Sequence, residues 1–114
     1  MQINKQVKGL KFDTGSDKLE WSLIPWNALG EVVKVLMYGK KKYTQALDDG
    51  TVVSGADNWK MVENAKERYW NAAMRHLIAI REGEKHDPET GLHHGAHACC
   101  NILFALWFDL KEGD

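Results

Sequence analysis

Apolar residues recur at helical spacing in three stretches of this chain, separated by polar pieces rich in glycine. After Pro25, whose fixed φ suits a first turn, Ala28, Leu29, Val32, Val33, Val35 and Leu36 predict a first helix, with Gly39 offering an exit. Glu31 lies beside that stripe. Lys40, Lys41 and Lys42 follow, where the negative end of the helix dipole favours cations. A second helix is predicted from about Trp59 to Arg81, with Tyr69, Ala73, His76 and Ile80 on one stripe, so that His76 points inward. Gly83 and Pro88 break the pattern, and a third helix is expected from about Leu92 to Leu110.

The remaining segments are less regular. Residues 1–24 mix short apolar pieces with Gly9, Gly15 and the Thr14/Ser16/Asp17 group, and read as an arm holding at most a short strand. The segment 43–58 carries Asp49-Gly50 and Ser54-Gly55 turn signals around Thr51, Val52 and Val53, consistent with a loop or small hairpin. The fold class that follows is all-α, a small helical bundle of three main helices plus the N-terminal arm. We expect one domain over 1–114, with arm 1–24, helical core 25–110 and loop 43–58.

Size and aromatic content change this picture in one respect. A core built from 114 residues cannot fully bury Trp21, Trp26, Trp59, Trp70 and Trp107, so some should line a subunit interface or a base-binding cleft. A homo-oligomer, dimer or tetramer, is therefore expected to complete the bundle. The formal charge of -1, from 15 basic and 16 acidic residues, gives no field that would draw in nucleic acid or an anionic membrane. No stretch approaches the roughly 18 apolar residues of a membrane span, and the first residues lack an apolar signal region. The expected location is cytoplasmic. Cys99 and Cys100, neighbours on a predicted helix, diverge by about 100° and read as packing residues rather than a disulfide.

Candidate chemistry concentrates between Arg75 and Asn101. His94, His97 and Asn101, at i, i+3 and i+7, fall within roughly a 60° arc of the third helix, and Phe104, Ala105 and Phe108 continue that face. A helix with a polar patch at one end and an apolar stripe at the other lines a site with the first and fills the core with the second; packed, hydrogen-bonded core histidines explain the same pattern. Glu84, Asp87 and Glu89 form the densest acidic group, suited to a hard cation such as Mg²⁺, while Asp87 before Pro88 also fits a turn or cap and Glu89 a solvated surface position. Arg68, Arg75 and the lysines offer donors for phosphate or partners for surface ion pairs. A zinc reading of His93, His94 and His97 is disfavoured, because the two cysteines lie off that face.

Several pieces together, DTGSDKLEWSLIPWNAL (13–29), EVVKVLMYGKKKY (31–43), GADNWK (55–60), ERYWNAAMRH (67–76), GEKHDPETG (83–91) and HGAHACCN (94–101), make the chain resemble the phage dATP/dGTP diphosphohydrolases, MazZ-like proteins akin to the all-α MazG nucleotide pyrophosphatases. The resemblance implies a helical bundle that uses Mg²⁺ or Mn²⁺ to hydrolyse purine deoxynucleoside triphosphates to monophosphate and pyrophosphate. It also implies Glu31, Glu84 and Asp87 as metal ligands, although the first E-x-x-E motif of MazG enzymes is reduced here to Glu31, with Lys34 in place of its second acid. His76, His94 and His97 match the family's histidine pieces as substitute ligands or proton carriers, with His94 assigned to the metal and Glu31, His76 and His97 to catalysis. Lys42, Arg68 and Arg75 would face the phosphates, and Asn58, Trp59 and Asn101 the remaining substrate. Two other readings use the same residues: an HD-type phosphohydrolase built on His86-Asp87, and a non-catalytic phage nucleotide-binding or accessory protein.

Overall fold

In a computed structural model, described for residues 8–11 and 17–113, a single-turn 3-10 helix at Trp21–Leu23 leads into α1, Trp26–Tyr43. A two-stranded antiparallel hairpin follows, β1 (Gln45–Ala46) paired with β2 (Val52–Val53) in the register Gln45 to Val53. A 3-10 turn at Asn58–Met61 precedes α2, Ala65–Arg81, and α3 spans His94–Lys111. The protein is mostly helical, with three helices and this one small sheet among the described residues. No helix there is long and apolar enough to cross a membrane.

Helices α2 and α3 form the principal pair. Contacts run in opposite order along them, His76 to His94, Tyr69 to Phe104 and Lys66 to Asp109, so the two are antiparallel. Small residues let them approach: Ala73 and Ala105 are fully buried, and Ala98 nearly so. On α3, Ala96 and Cys100 pack against Val32 and Val35 of α1, with Leu29, Leu92 and Phe104 around them. Burial pushes the Cys100 thiol up to about 12, so it packs as an apolar group, whereas Cys99 is exposed.

Three boundaries differ from the sequence expectation. Helix α1 runs through Gly39 and its lysines and stops at Thr44, which turns extended and donates its hydroxyl to the Lys40 carbonyl at 2.6 Å. A free carbonyl in the last turn finds its partner there rather than at the glycine. Helix α2 begins at Ala65, because Asn64 takes a left-handed conformation (φ 54°) and divides the helix from the 3-10 turn carrying Trp59. Helix α3 begins at His94, where the side chain of His93 accepts the Gly95 amide at 2.8 Å and so serves as its N-cap.

Candidate functional site

The linker between α2 and α3 is extended and bonded rather than loose. Backbone bonds from Asp87 to Leu92 (2.8 Å) and from His94 to Lys85 (2.9 Å), with a bridge between His86 and His93, fold it back on itself. Successive side chains of an extended segment point to opposite sides. Asp87 accordingly turns in toward the helices while His86 remains exposed, its ring meeting His93 edge-on at 5.6 Å. The His-Asp dipeptide of the HD-type reading is thus split, and its two side chains do not share a site.

Asp87 joins His76 of α2 and His94 of α3, and one ligand atom from each lies within 4.8 Å of the others. Among the described residues these form the one group of three histidine, cysteine or acidic side chains close enough to hold a metal ion. The Nδ1 atoms of His76 and His94 are 2.8 Å apart. On the far side of His94, Nε2 lies 2.7 Å from Glu84 Oε1. A carboxylate oxygen accepts, so His94 donates from Nε2, and in that tautomer its Nδ1 presents a lone pair to His76. His94 itself is buried, 3% exposed, so its orientation is fixed by this bond and by packing.

Thr90 ties the third histidine to the same carboxylate. Its amide and hydroxyl both reach Asp87 Oδ2, at 2.9 and 3.1 Å, and its oxygen lies 2.7 Å from His97 Nε2. With the one hydroxyl proton given to Asp87, His97 must donate from Nε2. His97 stacks on His76 at 4.5 Å, with ring planes 8° apart. Burial holds both imidazoles below their ordinary value; the neighbouring histidines push the same way, while the Asp87 charge opposes them. At Asp87 partial burial raises the pKa, but the hydrogen bonds from Thr90 and the attraction of His97 and His76 outweigh it, and the carboxyl is held below its usual range.

A cavity of about 1010 Å³ opens over this group. His76, Asp87 and His97 form part of its wall, and all six of the expected substrate-binding residues, Lys42, Asn58, Trp59, Arg68, Arg75 and Asn101, lie along it. Its opposite end is aromatic. Trp59 stacks on Phe104 at 4.2 Å and meets Trp107 edge-on at 5.0 Å, while Tyr69 donates its hydroxyl to the Trp59 carbonyl at 2.7 Å. Burial raises that phenol to about 12, so it stays a donor. Asn101 spends its amide NH on the His97 carbonyl at 2.8 Å, Arg68 reaches the Glu63 carbonyl at 3.4 Å, and Arg75 is exposed.

Two of the expected metal ligands take other positions. Glu31 forms an ion pair with Lys34 at 2.7 Å on α1 and is neither in the ligand group nor on the cavity wall. Seven residues of helix rise put it about 10 Å from Tyr38 along the axis, and it is Tyr38 that reaches the linker. Glu84 is spent on His94 Nε2 and stands behind the imidazole instead of beside Asp87. Glu89, expected in solvent, accepts from Tyr38 at 2.9 Å and Lys42 at 3.1 Å and so moors the linker to α1. The sequence reading missed Thr90 as the hub and Tyr38 as an anchor. The Asp-Pro-x-Thr spacing, in which an aspartate accepts the amide three residues on, was the available signal for Thr90.

With this geometry in place, the comparisons give it a class. Residues 8–114 match the family described as dATP/dGTP diphosphohydrolase, N-terminal, and the chain belongs to that family. The dATP/dGTP diphosphohydrolase of Salmonella phage PMBT28 is 37% identical over 101 residues, which cover 89% of this chain and 30% of that protein. The chain therefore spans under a third of the length of the curated relative it matches. No solved structure matches it.

Proposed function

We propose that this chain binds purine deoxynucleoside triphosphates, dATP or dGTP, in the cavity and hydrolyses them to the monophosphate and pyrophosphate with the help of Mg²⁺ or Mn²⁺. The observation that carries this reading is the cavity itself, with His76 and Asp87 of the ligand group at one end, cationic side chains along it and aromatic rings at the other. The name of the phage relative supports the same substrate class. The residues fit a divalent ion through His76, Asp87 and His94, whose donor atoms already converge. A bound ion there would neutralise triphosphate charge and make water easier to deprotonate.

The chain's own groups divide the remaining work. Lys42, Arg68 and Arg75 face the polyphosphate and balance the charge that builds on pyrophosphate as the bond from the α-phosphorus to the bridging oxygen breaks. His97, kept neutral by burial and oriented by its Nε2–H bond to Thr90, accepts at Nδ1 the proton of the water that attacks the α-phosphorus. The stacked pair of Trp59 and Phe104 offers an apolar surface against which a purine packs, with Asn58 and Asn101 nearby for its polar edge. One water is consumed, and the proton it loses passes to His97 and on to solvent.

The assembly proposed for this site is a homo-oligomer. Trp70, Met74 and Leu77 on α2 and Leu103, Leu106 and Leu110 on α3 follow helical spacing yet are exposed, and among the described residues no large side chain is fully buried. A second copy covering those stripes supplies the missing core. The test is pyrophosphate release from dATP and dGTP with Mn²⁺, run with sedimentation of the same sample. Release should stop with EDTA and fall on the order of 100-fold or more in Asp87→Asn. Intact triphosphate after long incubation, with no binding of a nonhydrolysable dGTP analogue, would overturn the reading in favour of an accessory protein.

A further inference from the structure

The ligands expected from the sequence were mainly carboxylates, the donors Mg²⁺ prefers, but the side chains that converge are two imidazoles and one carboxylate. We infer that His76, Asp87 and His94 form a nitrogen-rich site selective for a first-row transition ion such as Mn²⁺ or Co²⁺ over Mg²⁺, with Glu84 as the positioning residue that makes His94 a ligand. This rests on the proposed function only in placing the ion beside the substrate.

Four features of the site carry the inference. The Nδ1 atoms of His76 and His94 stand 2.8 Å apart; adjacent donors at about 2.1 Å from one ion would be separated by about 3 Å. Without an ion, His76 fills that gap by donating its Nδ1 proton to His94. Binding an ion requires that neutral His76 carry its proton on Nε2 instead, and that both rings turn so that their Nδ1 lone pairs meet at the ion rather than at each other. Glu84 fixes the tautomer of His94 from behind, the carboxylate–histidine arrangement that orients metal ligands and raises their basicity.

The fourth feature is access. His94 is buried, while His76 and Asp87 border the cavity, so the ligand group sits in its wall with one side toward the space a triphosphate would occupy. Thr90 occupies Asp87 Oδ2 and leaves Oδ1 for a cation. Imidazole suits transition ions, whereas Mg²⁺ takes oxygen ligands and gives up its water reluctantly.

The experiment is calorimetric titration of the full chain, free of any histidine tag, with Co²⁺, Mn²⁺ and Mg²⁺ in the absence of nucleotide. Histidine side-chain NMR follows the same samples. Affinity should fall in the order Co²⁺, Mn²⁺, Mg²⁺, with roughly tenfold or more between the first and last, and the His76 and His94 resonances should be the ones shifted or broadened. Glu84→Gln should weaken Mn²⁺ binding by about 10- to 100-fold while leaving the circular dichroism unchanged; His76→Ala, at a less buried position, should abolish it. Equal affinity for Mg²⁺ and Co²⁺, binding unaffected in both variants, or no binding of any of the three ions would overturn the inference. Selective binding without hydrolysis would sink the proposed function and leave the site standing, and hydrolysis that runs equally well on Mg²⁺ would do the reverse.

Discussion

Two connectors, 44–57 from α1 to the 3-10 turn and 82–93 from α2 to α3, look alike as sequence, both polar and marked by glycine, yet they are bonded in opposite ways. In the first, most bonds close within the segment: the Thr51 amide to Asp49 at 2.9 Å, Leu47 to the Thr51 carbonyl at 2.8 Å, and the Ala56 amide to Ser54 at 3.2 Å. In the second, three acidic side chains act at three places. Glu84 reaches α3, Asp87 the Thr90 hub and the histidines, and Glu89 the far end of α1. A connector that bonds mainly to itself supports a turn, whereas one that bonds outward fixes the relation between helices and can hold reactive groups in register.

Breaking the hub should produce the larger effect. Thr90→Val keeps the shape and the amide bond to Asp87, but removes the hydroxyl that serves His97 Nε2, the Leu92 amide and Asp87 Oδ2, and should cost about 2–4 kcal/mol in chemical denaturation. It should also lower metal affinity. A loss no larger than that of a surface substitution would mean that the linker is held by its backbone alone.

Gly55 tests the other connector, at the one point where it is buried. A Cβ there would run into the backbone of Tyr43 and lie 2.6 Å from both the Lys40 carbonyl and the Thr44 nitrogen, with no flexible side chain to yield. Gly55→Ala should destabilise the protein by about 1–3 kcal/mol, leaving Mn²⁺ binding unchanged. Thermal melts with and without the ion separate the two outcomes.

Acid gives the smallest and most local contrast. All five histidines lie in or beside the second connector and none in the first. His76 and His97 are depressed below the ordinary value of 6.5, so they favour the folded state while neutral. That stability is present above the unfolded value and is lost as pH falls through the folded values. Hydrogen exchange on the metal-free protein should show the 82–97 region loosening below pH 6.5 before the hairpin does; simultaneous loosening of both would mean that the two connectors do not differ in their response to acid.

How much of this was legible in advance differs by level. Helical periodicity read directly as three helices, since apolar spacing at 3.6 residues per turn is a local property. The shared face of His94, His97 and Asn101 was legible for the same reason, as was the inward position of His76. Roles within the linker were not. Glu84 and Asp87 are equivalent as sequence, and only the backbone bonds of 85–94 decide that one orients an imidazole and the other joins it.

The sequence by itself determined the helices, the turn chemistry between them and the residue types from which a metal and phosphate site could be drawn, because each depends on neighbours a few positions apart. Only the tertiary structure decided which donors meet. Antiparallel packing of α2 on α3 brings His76 to His94 across 18 positions, while helix rise leaves Glu31 with Lys34 along α1. Convergence of side chains from separate elements is a property of their packing, and no local spacing encodes it.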